Sequence, residues 1–174
     1  MSEAYTSGGF EPIVPALQPM FKVWCEVEAA EPVGDSGEGF RKIVPIGRGA
    51  IESDKCPALD GAQLMPGGSD YFRTDQYGKT RLDARYYFKL KSGHNMYFQS
   101  SGLRLVPESY NDPEAKAAIL AGKDVEPSRY YFRLKLILET DCPDTQLQDI
   151  VNKIIIASAI RRPKAVIYQA YVVT

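Results

Sequence analysis

Asp83, Arg85 and Tyr87 stand two residues apart in the run Leu82-Asp83-Ala84-Arg85-Tyr86-Tyr87-Phe88-Lys89-Leu90-Lys91. Apolar residues alternate there with charged or amphipathic ones, the period of a half-buried β-strand, so these three share one face. A carboxylate so placed can move a proton, a guanidinium can stabilise developing negative charge, and a phenol can wall a pocket while keeping a hydrogen bond. The plainer reading is a solvent-facing row, because Lys89 and Lys91 continue the same face. A β-bulge would be needed to turn part of it inward.

Other residues offer related chemistry. Asp70 follows Gly67-Gly68-Ser69 where a strand begins, and serves either as a second acid or base or as a bond to the turn backbone. Tyr131, Arg133 and Lys135 alternate against Tyr130, Phe132, Leu134, Leu136 and Leu138. Asp70, Asp83, Arg85 and Arg133 are therefore the candidate catalytic groups. Trp24, Tyr71, Tyr87, His94 and Tyr131 are the candidate substrate-binding groups. Trp24 lies on the charged face of its strand, as a surface or interface ring or a pocket wall, and His94 falls in a predicted turn.

Several chemistries lack their residues. His94 is the only histidine, so neither a His-pair metal site nor a triad with a second histidine can be assembled. The carboxylates show no calcium-loop spacing. Gly47-Arg48-Gly49 and Gly67-Gly68 complete neither a dinucleotide nor a P-loop fingerprint, and read as turns or bulges. No cofactor and no metal is expected. The 3 cysteines, Cys25, Cys56 and Cys142, form no C-x-x-C pair and read as buried or free thiols of a reducing compartment, with one bridge as the lesser alternative. With 21 basic and 22 acidic residues the net charge is −1, which gives no electrostatic reason to seek nucleic acid or an anionic membrane. Neither a signal peptide nor a transmembrane run is read, and the cytoplasm is the expected location.

The elements that must hold these residues are mostly strands. Positions 1–19 read as a flexible tail and an extended lead-in rich in proline, and 20–174 as one domain. Phe21 to Ala29 alternates cleanly. Phe40 to Ile46 is a strand, with Pro45 near its end arguing for an edge or a bulge, and Ile51 begins another. Further strands are read at Ala58 to Met65, Asp70 to Thr74, Arg81 to Lys91, Met96 to Ser101, Tyr130 to Glu139, Lys153 to Ile160 and Ala165 to Val173. Asn111-Asp112-Pro113-Glu114 opens a helix that stops at Gly122, and Pro143 to Val151 reads as a second short one. About nine or ten strands at this spacing imply an all-β fold, a closed antiparallel barrel or a sandwich.

The chain also resembles a known family. The carriers are Gly61-Ala62-Gln63-Leu64-Met65-Pro66-Gly67-Gly68-Ser69-Asp70-Tyr71, Leu82-Asp83-Ala84-Arg85-Tyr86, Tyr130-Tyr131-Phe132-Arg133 with Glu139-Thr140, and Arg161-Arg162-Pro163 leading into an aliphatic strand to Tyr171. Their order and spacing are similar to those of the domain-of-unknown-function family 3237, small β-barrel proteins of bacteria and fungi, over about Phe21 to Val173. The resemblance implies an antiparallel barrel and little about activity. Where members often carry Trp-Leu-Asn before the penultimate strand, this chain reads Asp149-Ile150-Val151-Asn152, with Ala157-Ser158-Ala159 in the strand. If that segment lines the barrel mouth, a large ring is missing there.

These readings lead to three expectations. The first is a cofactor-independent isomerase, cyclase or dehydratase acting on a small natural-product intermediate inside the barrel, by acid–base catalysis and conformer positioning. The second is a non-catalytic carrier or sensor of a lipophilic molecule. The third is a structural module, pairing as a homodimer through Trp24 and strand edges.

Overall fold

In the computed structural model, residues 11–174 are described. The polar stretch Met1 to Gly9, read as a tail, lies outside them. Strand β1 (Leu17–Val27) starts four residues earlier than the alternation suggests, because its first residues pair with the end of the last strand, Leu17 opposite Val173. A short β2 (Glu31–Asp35) turns into the long β3 (Phe40–Glu52), which is one strand where the sequence suggested two. Next to Pro45, the register between β1 and β3 shifts between Cys25 and Val27, an irregularity of the kind that the proline suggested.

Three fragments follow, β4 (Gln63–Leu64), β5 (Gly68–Asp70) and β6 (Arg73–Thr74). Each pairs with β3 on one side and with β7 (Thr80–Lys89) on the other, so together they fill one position in the sheet. The hairpin of β7 and β8 (Asn95–Leu105) leads to α1 (Pro113–Leu120). The Asp112 side chain caps α1, accepting from the Ala115 peptide N–H at 2.9 Å, and Gly122 ends it at φ +71°. The chain closes with β9 (Tyr131–Thr140), α2 (Thr145–Val151), β10 (Ile155–Arg162) and β11 (Ala165–Val173).

The sheet order is β1-β11-β10-β9-β8-β7-β4-β3-β2, and β1 also pairs with β3. That last pairing closes an antiparallel barrel of eight strand positions, with β5 and β6 sharing the place of β4 and β2 added at the edge. Closure leaves one apolar interior, built by alternate residues of every strand. One part of it is solid: Phe98 meets Phe88 edge-on at 4.9 Å and Phe21 at 6.1 Å between ring centroids, and Tyr86 stacks on it at 5.6 Å. The rest of the interior is open.

Candidate active site

A cavity of about 320 Å³ occupies that open part. Its wall is mainly aliphatic and aromatic, with Val27, Val44, Ile46, Leu82, Phe132 and Leu134. Glu28 to Ala30, Lys42, Pro163, and Leu120 and Gly122 at the end of α1 also line it. Five groups bring chemistry to the wall: Asp70, Cys25, Ser100, Arg161 and the tyrosine pair Tyr86 and Tyr168.

Asp70 ends β5 opposite Ala84 of β7, whose side chain is buried, so the pairing presents both to the interior. Its Oδ1 accepts a hydrogen bond from the Asp83 peptide N–H at 3.0 Å. Burial pushes the carboxyl up to about 6, against the opposing pull of that N–H and of the Arg104 charge. Such a group exchanges protons readily near neutral pH.

Tyr86 of β7 and Tyr168 of β11 reach across the barrel and join hydroxyls at 2.9 Å. Burial raises both phenols, which stay protonated. Two hydroxyl protons serve one mutual bond, so a second proton is free for Ser100 or for an occupant. Cys25 donates to the Val166 carbonyl at 3.7 Å, and burial pushes its thiol up to about 12, so it is a neutral wall group and not a nucleophile. At the mouth, Arg161 donates to the carbonyls of Ala165 at 3.2 Å and Pro163 at 3.3 Å, and its own peptide N–H donates to the Tyr130 hydroxyl at 3.0 Å.

Of the residues singled out in the sequence, Asp70 lines this cavity and the others do not. The register of β7 against β8 runs unbroken from Thr80 opposite Arg104 to Lys89 opposite Asn95. No bulge turns the charged face inward, so Leu82, Ala84, Tyr86 and Phe88 point in and Asp83, Arg85 and Tyr87 point out. Asp83 and Arg85 form an outer ion pair at 2.7 Å. Tyr87 lies outside, opposite Tyr97. Arg133 is exposed, with its guanidinium 5.2 Å from the Tyr131 ring centroid and a bond to the Phe132 carbonyl at 3.0 Å. Trp24 is 37% exposed on the outer face of β1, opposite Ile167. Tyr71 is exposed, its carbonyl accepting from Arg41. His94 sits in the β7–β8 turn with Nδ1 3.1 Å from the Ser92 hydroxyl.

Tyr86, Tyr168, Ser100, Arg104 and Arg161 are not among the site candidates that the sequence suggests. The usable signal was parity: each stands on the apolar face of its strand, where a polar atom needs a reason. Among the described residues, no group of three or more His, Cys, Asp or Glu side chains could hold a metal, and no helix is long and apolar enough to cross a membrane.

An eight-position antiparallel barrel with a polar-studded cavity defines a class of small β-barrel proteins. Within it, the chain belongs to the family of proteins of unknown function DUF3237, whose family model matches residues 15–173. It is 31% identical over 133 residues to a UPF0311 protein of Clostridium acetobutylicum, covering 76% of this chain and 77% of that one. A crystal structure of a β-barrel-like protein from Acinetobacter baumannii superposes with a TM-score of 0.77 at 28% identity, covering 95% of this chain and 99% of that one. A crystal structure described as an enzyme from Penicillium herquei superposes with a TM-score of 0.62 at 14% identity, covering 93% and 98%, a likeness of fold.

Proposed function

We propose that the protein is a cofactor-independent enzyme, an isomerase, cyclase or dehydratase, acting on a small natural-product intermediate in the barrel cavity. The observation that carries this reading is Asp70, a carboxyl with its pKa raised to about 6 in the wall of a mainly apolar cavity. A base of that strength takes a proton from an activated carbon or hydroxyl and returns it at another position. The Tyr86–Tyr168 pair supplies a neutral O–H donor to an oxygen that gains charge, the role first considered for Arg85 and Arg133. The walls hold one conformer and exclude water. The Penicillium herquei protein described as an enzyme is in keeping with chemistry on this barrel.

The mainly apolar lining favours a second reading, a carrier of a lipophilic molecule. One experiment separates the two. Small-molecule extract of the host is incubated with the protein, with a boiled sample and with Asp70→Asn, and followed by untargeted mass spectrometry. An enzyme depletes one compound and forms an isomer or dehydrated product, and Asp70→Asn does not. A compound retained unchanged by both folded proteins sinks the enzyme reading in favour of the carrier.

A further inference from the structure

Arg104 stands on the inward face of β8, two residues beyond Gly102 and opposite Phe132 of β9. Its guanidinium lies 5.9 Å from the Phe132 ring centroid, and Phe132 is itself cavity wall. Its Nε is buried and makes no hydrogen bond among the described residues. A guanidinium presents five donors, and a buried one without a partner is costly. The charges acting on it are Arg161, which repels it, and Asp70, which attracts it. With its carboxyl at about 6, Asp70 is ionised at neutral pH and offsets one of the two guanidinium charges, leaving the other.

The surrounding charges leave the imbalance standing. Arg161 binds carbonyls of its own hairpin, and among the described residues it forms no salt bridge: Asp124 acts on it at range and pairs with Arg162 at 3.6 Å. Lys42 also lines the mouth, with its ammonium 5.7 Å from the Phe40 ring centroid. Against these three cations stand Asp70, the exposed Glu28 and Asp124, which is shared with Arg162. A planar, two-oxygen anion from outside meets the geometry of a guanidinium fork.

We infer that the cavity takes a small, mainly apolar molecule bearing a carboxylate, with Arg161 in the wall and Arg104, beside the wall residue Phe132, as the receptors of that group. This rests on the reading of the cavity as a small-molecule site. It also gives the occupant a direction: the carboxylate lies at the arginine end, and the apolar body runs toward Tyr86 and Tyr168.

The test uses two probes with the same ring, 2-naphthoate and the neutral 2-naphthalenemethanol, titrated calorimetrically into the full chain at about pH 7.5, where the acid is ionised. The expected result is at least about tenfold tighter binding of naphthoate. That preference should fall in Arg104→Gln and in Arg161→Gln, with affinity for the alcohol unchanged, and survive in part in Arg104→Lys. Equal affinities in the wild-type protein overturn the carboxylate site and leave the cavity reading intact. A preference for naphthoate that persists in both glutamine variants overturns the two arginines as receptors. Binding of neither probe overturns both readings. The wild-type comparison decides the carboxylate site even if a glutamine variant fails to fold, and Arg104→Lys, which keeps the charge, then tests the arginine.

Discussion

The Asp83 peptide N–H donates to the Asp70 carboxylate at 3.0 Å, while the Asp83 side chain leaves the opposite face of the sheet to meet Arg85 at 2.7 Å. One residue thus serves the cavity with its backbone and the surface with its side chain. A strand allows this because hydrogen bonds run in the plane of the sheet and side chains run across it.

The consequence is testable by side-chain deletion. Asp83→Asn keeps the peptide N–H that orients Asp70 and removes an ion pair whose side chains are 45% and 44% exposed, together with the smallest of the influences on the Asp70 carboxyl. Turnover should stay within about twofold of wild type and the melting temperature should barely move, as for most solvent-screened pairs. A loss of activity comparable to that of Asp70→Asn would place Asp83 in the chemistry after all.

The architecture was largely legible, because period-2 alternation is a direct record of which face is buried. It located the last strand, Ala165–Val173, to the residue, and the capping signals located α1. The site was less so. The charged residues of β7 lie on its outer face, where charge costs little, whereas its inner face carries Tyr86, a phenol that reads in the sequence as one more aromatic. The Tyr86–Tyr168 bond joins positions 82 residues apart, a pairing that only barrel closure creates. Arg104 lies beyond Ser101, where the sequence pattern suggests that the strand ends, whereas β8 runs on to Leu105. Extending the same alternation from Phe98 through Ser100 and Gly102 would have brought it inside. Asp70 is visible in the sequence as a short acid after Gly67-Gly68-Ser69, where a bond to the turn backbone is the plainer expectation; its carboxylate instead accepts from the Asp83 N–H of the neighbouring strand.

The hydroxyl pair makes its own prediction. Tyr86→Phe leaves the Tyr168 O–H buried without its partner, and Tyr168→Phe leaves Tyr86 with Ser100 in place of Tyr168. Each single variant should lose about 1–3 kcal/mol in urea denaturation. The double variant removes both groups together, so its loss should fall short of the sum of the singles by about 0.5–3 kcal/mol. Strict additivity would mean that the two hydroxyls do not depend on one another.

Gly102 tests the barrel wall. A Cβ built there would lie 2.1 Å from the Arg133 carbonyl oxygen and 2.9 Å from the Leu134 Cα, both backbone atoms of the neighbouring β9 that have little room to yield. Gly102→Ala should therefore cost about 1–3 kcal/mol or more in chemical denaturation, although alanine is not otherwise a poor strand residue. A neutral result would mean that β8 and β9 separate more readily than their unbroken pairing suggests.

Asp70 gives the pH dependence. Its carboxyl has an ordinary value of 3.8 and is pushed up to about 6 in the folded chain. Between those values the folded state holds a proton that the unfolded state has released, so stability falls as pH rises through this window. Below it both states are protonated and the effect is absent; above it the full cost of the buried charge is present. Asp70→Asn carries no such charge, and its amide oxygen can accept the same Asp83 N–H. Relative to wild type, the variant should therefore gain about 2 kcal/mol between pH 4 and 6 and stay level on either side. Melting curves of both proteins from acid to neutral pH measure this. Activity should follow the same carboxyl, with a limb of kcat/KM centred near pH 6, falling on the acid side if Asp70 is the base and on the alkaline side if it is the acid. That limb should vanish in Asp70→Asn, along with about 10²- to 10⁴-fold of the turnover. A variant that keeps the limb, or whose stability difference does not change with pH, would show that the group titrating near 6 is not Asp70.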